Sequence, residues 1–298
     1  MANLSIKKAI FPVAGIGSRF LPATKATPKE MLPIVDKPLI QYAVEEAVNA
    51  GITELIFVTN YNKRTIEDHF DRNIELERSL EQAGKLEVLA TVKQIIPPNV
   101  TFIYIRQMQP FGLGHAVWCA KNVIGNEPFA VLLADDLITT TNQNSCLKQM
   151  VEKYNQVKSS IIAVEHCEPE LVFNYGIVGV DQKFNNFGKI NNIVEKPKPK
   201  DALSNLAVIG RYILSANIFN YLDDAHKQFN NTIGTGFEMQ LTPAISSLLS
   251  IEDVYALDFD GVRYDCGQKL GYLQATVAMA LKHPIIKQDF KKFLTSIL

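Results

Sequence analysis

Between Ala14 and Pro33 the chain gathers groups suited to an anionic ligand. In Ala14-Gly15-Ile16-Gly17-Ser18-Arg19 the glycines let backbone N–H groups come close to a phosphate or a nucleobase. Arg19 and Lys29 add two cations, one a planar fork for phosphate oxygens and the other a point charge. The loop is not a dinucleotide fingerprint, because Phe20 and Leu21 stand where a third glycine is required. It is not a P-loop either, since no Gly-Lys-Ser/Thr follows. A bare Gly-x-Gly can equally be an ordinary tight turn, and two cations in one loop a solvated basic surface.

Further groups could do chemistry with it. Asp135 and Asp136 follow an apolar run, and adjacent acids suit Mg²⁺, which takes one or two carboxylates with phosphate oxygens and water. They could also be turn or helix-cap acids. Asp265, before Cys266-Gly267, is the obvious second carboxylate, although alone it reads as a helix-start acid. Gln107 carries one donor and one acceptor for a base edge, or simply faces solvent. In Glu195-Lys196-Pro197 the acid can bind vicinal sugar hydroxyls and the ammonium a phosphate; without context the two read as a surface ion pair.

Other patterns carry less. His69, His115, His166, His226 and His283 show no ligand spacing, and His115 is expected on a buried helix face in a structural role. Cys119, Cys146, Cys167 and Cys266 form no CxxC pair and have no histidine at zinc spacing, so reduced thiols in a cytosolic protein are expected. The Asn-x-Ser/Thr triplets at Asn3, Asn99 and Asn230 then have no glycosylation meaning. Ser5-Ile6-Lys7-Lys8 matches Ser-x-x-Lys without the partner motifs that would give it sense. Trp118 and the other aromatics read as core rather than as a base-stacking platform.

The elements that must position these groups alternate between strand and helix over the first half. Strands are expected at Lys8–Ala14, Leu55–Thr59, Val100–Ile105 and Phe129–Leu133, and helices at Leu39–Ala50, Thr65–Lys85 (Phe70 and Leu76 inward) and Leu113–Val123. That order argues for an α/β fold with a Rossmann-like, mostly parallel sheet flanked by helices. Ligands of such sheets bind beyond the C-terminal strand ends, which marks the loops after Ala14, Ile105 and Leu133. The second half is less regular, with strands at Ile161–Val164, Gly176–Val180, Ile190–Val194, Leu206–Tyr212 and Val254–Phe259 that suggest antiparallel additions to a mixed sheet. Helices are expected at Thr242–Leu249, Lys269–Lys282 and Asp289–Leu298.

A net charge of −1 excludes a polycationic nucleic-acid binder but not a small phosphorylated ligand, which needs only local cations. Charged residues at 20% with 47% apolar ones exclude a mostly disordered chain. No apolar run approaches the roughly 18 residues of a membrane span, and the polar stretch Met1–Lys8 is not expected to be a signal peptide. One continuous domain over residues 1–298 is expected.

The string Pro12-Val13-Ala14-Gly15-Ile16-Gly17-Ser18-Arg19, with Leu21-Pro22-Ala23-Thr24-Lys25 and Pro28-Lys29-Glu30-Met31-Leu32-Pro33, resembles the nucleotide loop of the sugar-nucleotide pyrophosphorylases. The similarity is closest to members acting on UTP and glucose 1-phosphate. Ser18 departs from the usual Thr but keeps the hydroxyl. The resemblance continues through Phe70-Asp71, Glu75-Leu76-Glu77, Arg106-Gln107 and Gly112-Leu113-Gly114-His115-Ala116-Val117. It then takes in Asp135-Asp136, Tyr175-Gly176, Val194-Glu195-Lys196-Pro197, Asn205-Leu206-Ala207 and Gly210-Arg211-Tyr212. Gln240-Leu241-Thr242, Tyr264-Asp265-Cys266-Gly267 and Lys269-Leu270-Gly271-Tyr272 complete it, with Pro243 in place of an acid often seen there.

The resemblance implies uridylyl transfer from UTP to glucose 1-phosphate with Mg²⁺, in line and without a covalent intermediate. It assigns Arg19, Lys29, Lys196 and Asp135 to catalysis, and Ala14, Gly15, Gly17, Ser18, Glu30, Gln107 and Gly112 to the nucleotide. Asp136, Gly176 and Glu195 fall to the sugar, and Asp135 and Asp265 to the metal. Residues 1–140 become a nucleotide-binding half, 141–265 a sugar-phosphate half, and 266–298 helices for contact with a second copy in a dimer or tetramer. Cytoplasmic location and small-molecule partners, without nucleic acid or membrane, follow the same resemblance. Another nucleotide or sugar phosphate, such as dTTP or galactose 1-phosphate, and a catalytically silent regulatory relative are the alternatives.

Overall fold

Alternation of apolar residues builds a sheet buried on both sides. In β1 (Lys8–Pro12), Ala9 and Phe11 face one layer and Ile10 the other; in β4 (Glu54–Thr59), Leu55 and Phe57 oppose Ile56 and Val58 in the same way. The computed structural model describes residues 6–140, 144–181, 184–230 and 238–297. The readings placed on Asn3 and Ser5, and most of the triplet from Asn230, lie outside the described residues.

Between β1 and β4 run the two-residue strands β2 (Pro33–Ile34) and β3 (Lys37–Pro38), then α1 (Leu39–Asn49). Helices α2 (Arg64–Phe70), α3 (Ile74–Gln82) and α4 (Leu86–Gln94) lead to β5 (Thr101–Arg106). After α5 (Leu113–Cys119) and α6 (Lys121–Ile124) come β6 (Phe129–Leu132), β7 (Asp136–Thr139), α7 (Cys146–Val157) and β8 (Ser160–His166). The antiparallel strands β9 (Gly176–Val180), β10 (Phe187–Glu195) and β11 (Leu206–Leu214) follow, then α8 (Ile218–Asn230) and α9 (Thr242–Leu248). The chain closes with β12 (Val254–Asp258), β13 (Val262–Asp265), α10 (Lys269–Ala280) and α11 (Lys287–Ile297).

Nine strands form one mixed sheet in the order β5-β4-β1-β6-β11-β8-β12-β10-β9. The first four are parallel; β11 joins β6 antiparallel, and β12 lies parallel to β8. Helices α1, α2 and α7 cover one face, and α5, α8 and α9 the other. A separate antiparallel ribbon pairs β13 with β7 and sets Asp265 opposite Asp136. That register brings the two acidic segments of the chain together.

Three expectations need correction. The single helix expected over Thr65–Lys85 is two: the chain breaks after Phe70, and the Asn73 side chain caps α3 by accepting from Leu76 N–H. Phe70 packs inward as expected, but Leu76 is 43% exposed, because the break re-aims α3. The helix expected over Leu113–Val123 is likewise divided at Ala120. Helices α4, α7 and α8 stand where no helix was expected.

Candidate active site

The parallel strands β1, β4, β5 and β6 point the same way, so the loops that follow them meet at one edge of the sheet. The glycine loop is anchored there: Val13 N–H donates to Val58 O at 2.9 Å, and Asn60 Nδ2 donates to Ala14 O at 2.6 Å. Gly17 sits at φ 71°, a left-handed conformation costly for a residue with a Cβ, and Thr24 Oγ1 holds its carbonyl at 2.7 Å. A cavity of about 420 Å³ opens over this edge. Ala14, Gly15, Gly17, Ser18, Lys29, Gln107, Gly112 and Asp135 line it, joined by Glu238 from later in the chain.

Gly112 marks the far wall. It lies at φ 102°, and a Cβ there would fall 2.7 Å from Met239 O, so glycine is required on both counts. The contact is built by hydrogen bonds from Gly114 N–H to Met239 O at 2.8 Å and from Met239 N–H to Phe111 O at 2.7 Å. Gln107, only 3% exposed, reaches this wall: its Nε2 lies 3.3 Å from Gly112 O and 2.8 Å from His115 Nδ1.

A second cavity, of about 220 Å³, adjoins the first and shares Leu113, Leu133 and Asp135 with it. Asp136, Gly176, Glu195, Lys196, Arg263 and Asp265 complete its charged or close-packed wall. Along an extended strand Glu195 and Lys196 would face opposite sides. Lys196 instead turns into the left-handed region at φ 47°, fixed by its N–H donating to Tyr175 O at 2.9 Å. Both side chains therefore line the same cavity, with Lys196 Nζ 3.6 Å from Glu195 Oε1.

Lys29 and Asp135, read separately as phosphate ligand and metal ligand, pair with each other at 2.5 Å. Burial works against both charges, yet the pairing outweighs it: the Asp135 carboxyl lies below the usual range and the Lys29 ammonium above its own. Across the cavity floor, a Cβ built on Gly267 would lie 2.9 Å from Asp135 Oδ2 and 3.0 Å from Asp265 Oδ1. The glycine leaves a cradle between two carboxylates, which suits a hard cation completed by phosphate oxygens and water. Among the described residues, no group of three or more His, Cys, Asp or Glu side chains gathers as a metal cage.

Three residues read as ligands are placed otherwise. The Glu30 side chain is 1% exposed and pairs with Lys63 at 2.8 Å beneath the loop, so its carboxylate does not reach the cavity. Burial raises that carboxyl despite Lys63, and Glu30 Oε1 is buried without a hydrogen bond. Asp136 is at the wall of the second cavity, but its oxygens already accept from Arg263 Nε at 2.7 Å and Gly210 N–H at 2.8 Å. It orients Arg263 rather than offering a free carboxylate. Arg19 is exposed and lines neither cavity, though it stands close enough to Lys29 to oppose its charge.

Sequence reasoning also missed residues. Arg263 lies two positions before Asp265 on β13, and strand periodicity alone would have put the two on one face. It also bridges to Glu165 at 2.6 Å. Thr242 and Glu238 flank the Gln240-Leu241 segment and enter one cavity each, whereas no sequence signal singles out Lys63.

Residues 8–280 match the nucleotidyl transferase family. The UTP–glucose-1-phosphate uridylyltransferase of Bacillus subtilis is 48% identical over 294 residues, 98% of this chain and 97% of that protein. UTP–glucose-1-phosphate uridylyltransferase 1 of Staphylococcus saprophyticus is 48% identical over 295 residues, 99% of each. Among solved structures, a UTP-bound UGPase from Acinetobacter baumannii matches with a TM-score of 0.91 at 45% identity, covering 98% of this chain and 100% of that one. A UDP-glucose pyrophosphorylase complexed with UDP-glucose matches with a TM-score of 0.82 at 45% identity, covering 93% of this chain and 100% of that one. Matched nearly end to end by the family and by full-length relatives, this chain belongs to the nucleotidyl transferase family.

Proposed function

We propose that the protein transfers the uridylyl group of UTP to glucose 1-phosphate, releasing pyrophosphate and forming UDP-glucose. The observation that carries the reading is the pair of cavities joined at Asp135, one with the glycine loop and an amide for a base, the other with Glu195 and Lys196. The substrates named for the similar Bacillus and Acinetobacter proteins support it. In the first cavity Gln107, Gly112, Ala14 and Gly15 take the base, while Gly17, Ser18 and Lys29 take the phosphates; Arg19, exposed outside the cavity, adds positive charge near Lys29. In the second, Glu195 takes sugar hydroxyls beside Gly176, and Lys196 holds the attacking phosphate.

The nucleophile is a phosphate oxygen, already largely ionised at pH 7 because its second pKa is about 6. No general base is needed, so the work is positioning and offsetting the repulsion of two anions. The sugar-side cavity is lined by four acids, Asp135, Asp136, Glu195 and Asp265, against Lys196 and Arg263, with Lys29 paired to Asp135 from the first cavity, so a smaller negative excess remains before any phosphate enters. Asp135 and Asp265, either side of Gly267, would hold a divalent cation that would relieve that excess, and we assign Mg²⁺ to this cradle. When bound, it supplies positive charge shared among the phosphate oxygens. Arg211 and Arg263 hold the acidic turn in place.

We also propose that α10 and α11 meet a second copy, in a protein of the cytoplasm. Leu270, Leu273 and Val277, with Leu281 just past its end, form one exposed stripe along α10, and Phe293 and Ile297 are exposed on α11. Pyrophosphate release with UTP or dTTP against several sugar phosphates tests the activity. UTP with glucose 1-phosphate should be turned over fastest; preference for another pair, or no release, would overturn the assignment.

A further inference from the structure

Both hydrogens of the Gln107 amide are in use. Nε2 faces Gly112 O, where an oxygen would be repelled, so the nitrogen end of the amide is fixed. Its other hydrogen points to His115 Nδ1 at 2.8 Å, which must then be an acceptor. The amide oxygen has no hydrogen bond to another described residue, and Gln107 lines the nucleotide cavity. Resting on the uridylyl reading, we infer that His115 is a positioning residue for base choice: by taking one Gln107 hydrogen it presents the amide oxygen to the base. That oxygen accepts from the ring N–H of uracil or thymine and opposes the lone pair that cytosine carries at the same nitrogen.

The surroundings of His115 keep it in this role. Its ring is edge-on to Phe111 at 5.3 Å and stacked with Trp118 at 5.7 Å and His226 at 5.6 Å, which sets its orientation. Burial, with His226 nearby, pushes its pKa down to about 4, so the imidazole is neutral and Nδ1 can accept; the Cys119 thiol, a weak donor, also lies 3.8 Å from Nδ1, farther away than the Gln107 amide. A site built to pair a buried polar group rejects a ligand that leaves it unpaired far more strongly than shape alone could.

Steady-state kinetics with UTP, dTTP and CTP test the assignment on the full-length protein. His115→Phe keeps the ring stack but removes the acceptor. It should raise KM for UTP and dTTP together by roughly 10–100-fold, leave KM for glucose 1-phosphate within about twofold, and narrow the UTP:CTP ratio at least tenfold. His115→Gln, whose carbonyl can accept the same hydrogen, should restore most of the ratio. If the Phe variant does not fold, His115→Leu gives the same comparison. A purely structural role would lower the rates with all three nucleotides in equal proportion, and an unchanged UTP:CTP ratio overturns the inference. A native protein that uses none of them would instead overturn the uridylyl reading.

Discussion

Two side chains show how a local backbone or burial choice becomes function. The φ of 47° at Lys196 costs a residue with a Cβ about 1–2 kcal/mol, and in return its ammonium shares a cavity with Glu195. Lys196→Ala should lower kcat/KM for glucose 1-phosphate roughly 10²–10³-fold, the size of one preorganised charge contact, with UTP binding little changed. Lys196→Gly should be equally inactive yet more stable than Lys196→Ala by about 1 kcal/mol in urea unfolding, because glycine is at ease there. Equal stabilities would mean the strain is absent. His115 is the second case: its pKa falls from 6.5 to about 4 on folding. Between these values the unfolded chain binds the extra proton, so stability rises with pH and is lost as pH falls from about 6.5 toward 4. This loss should vanish from the urea-midpoint profile of His115→Gln, and an unchanged acid slope would count against a buried neutral imidazole.

At the scale of elements, the turn between β6 and β7 carries Asp135, and Arg211 of β11 is the clamp that holds it. The Arg211 side chain is 1% exposed and donates to Leu133 O at 2.9 Å, Gly210 O at 3.2 Å, Asp136 O at 2.8 Å and Glu46 Oε2 at 2.8 and 3.1 Å. Glu46 in turn accepts from Leu147 N–H at 2.9 Å, so α1, α7 and β11 converge on the acidic turn. Arg211→Met strands a buried carboxylate and should cost about 3–5 kcal/mol in chemical denaturation. Adding Glu46→Leu should recover much of that stability, because both charges are then gone. Turnover should not return, since the carbonyls flanking Asp135 still lack their donors, and a double variant of native activity would show that the clamp positions nothing.

For the whole molecule, one sheet serves both cavities: the loops after β1, β5 and β6 line the first, while β10 and the β7–β13 ribbon line the second. No helix among the described residues is long and apolar enough to cross a membrane. The exposed apolar stripe of α10 is the surface on which the proposed contact with a second copy rests. Light scattering at micromolar concentration should give a multiple of 33.3 kDa, and Leu273→Glu should reduce it to one chain. A native mass near 33.3 kDa would remove the proposed contact.

The sequence by itself determined the residue types and the local periods. Alternating apolar residues specified β1 and β4 on both faces, and the parallel order then located the ligand loops after β1, β5 and β6. Helices α4, α7 and α8 escaped, because α7 and α8 hide a narrow apolar stripe among polar residues and α4 buries only Leu89. Only the tertiary structure decided which charges meet. Asp135 and Asp265 flank Gly267 because of the β7–β13 register, and Glu30 turns to Lys63 because burial demands a partner for it. The Gln107 amide is oriented by His115, a residue whose type suggested only core. A period is a property of a few consecutive residues, whereas a hydrogen bond or an ion pair in the interior depends on which distant segments the sheet sets side by side, and no local pattern records that.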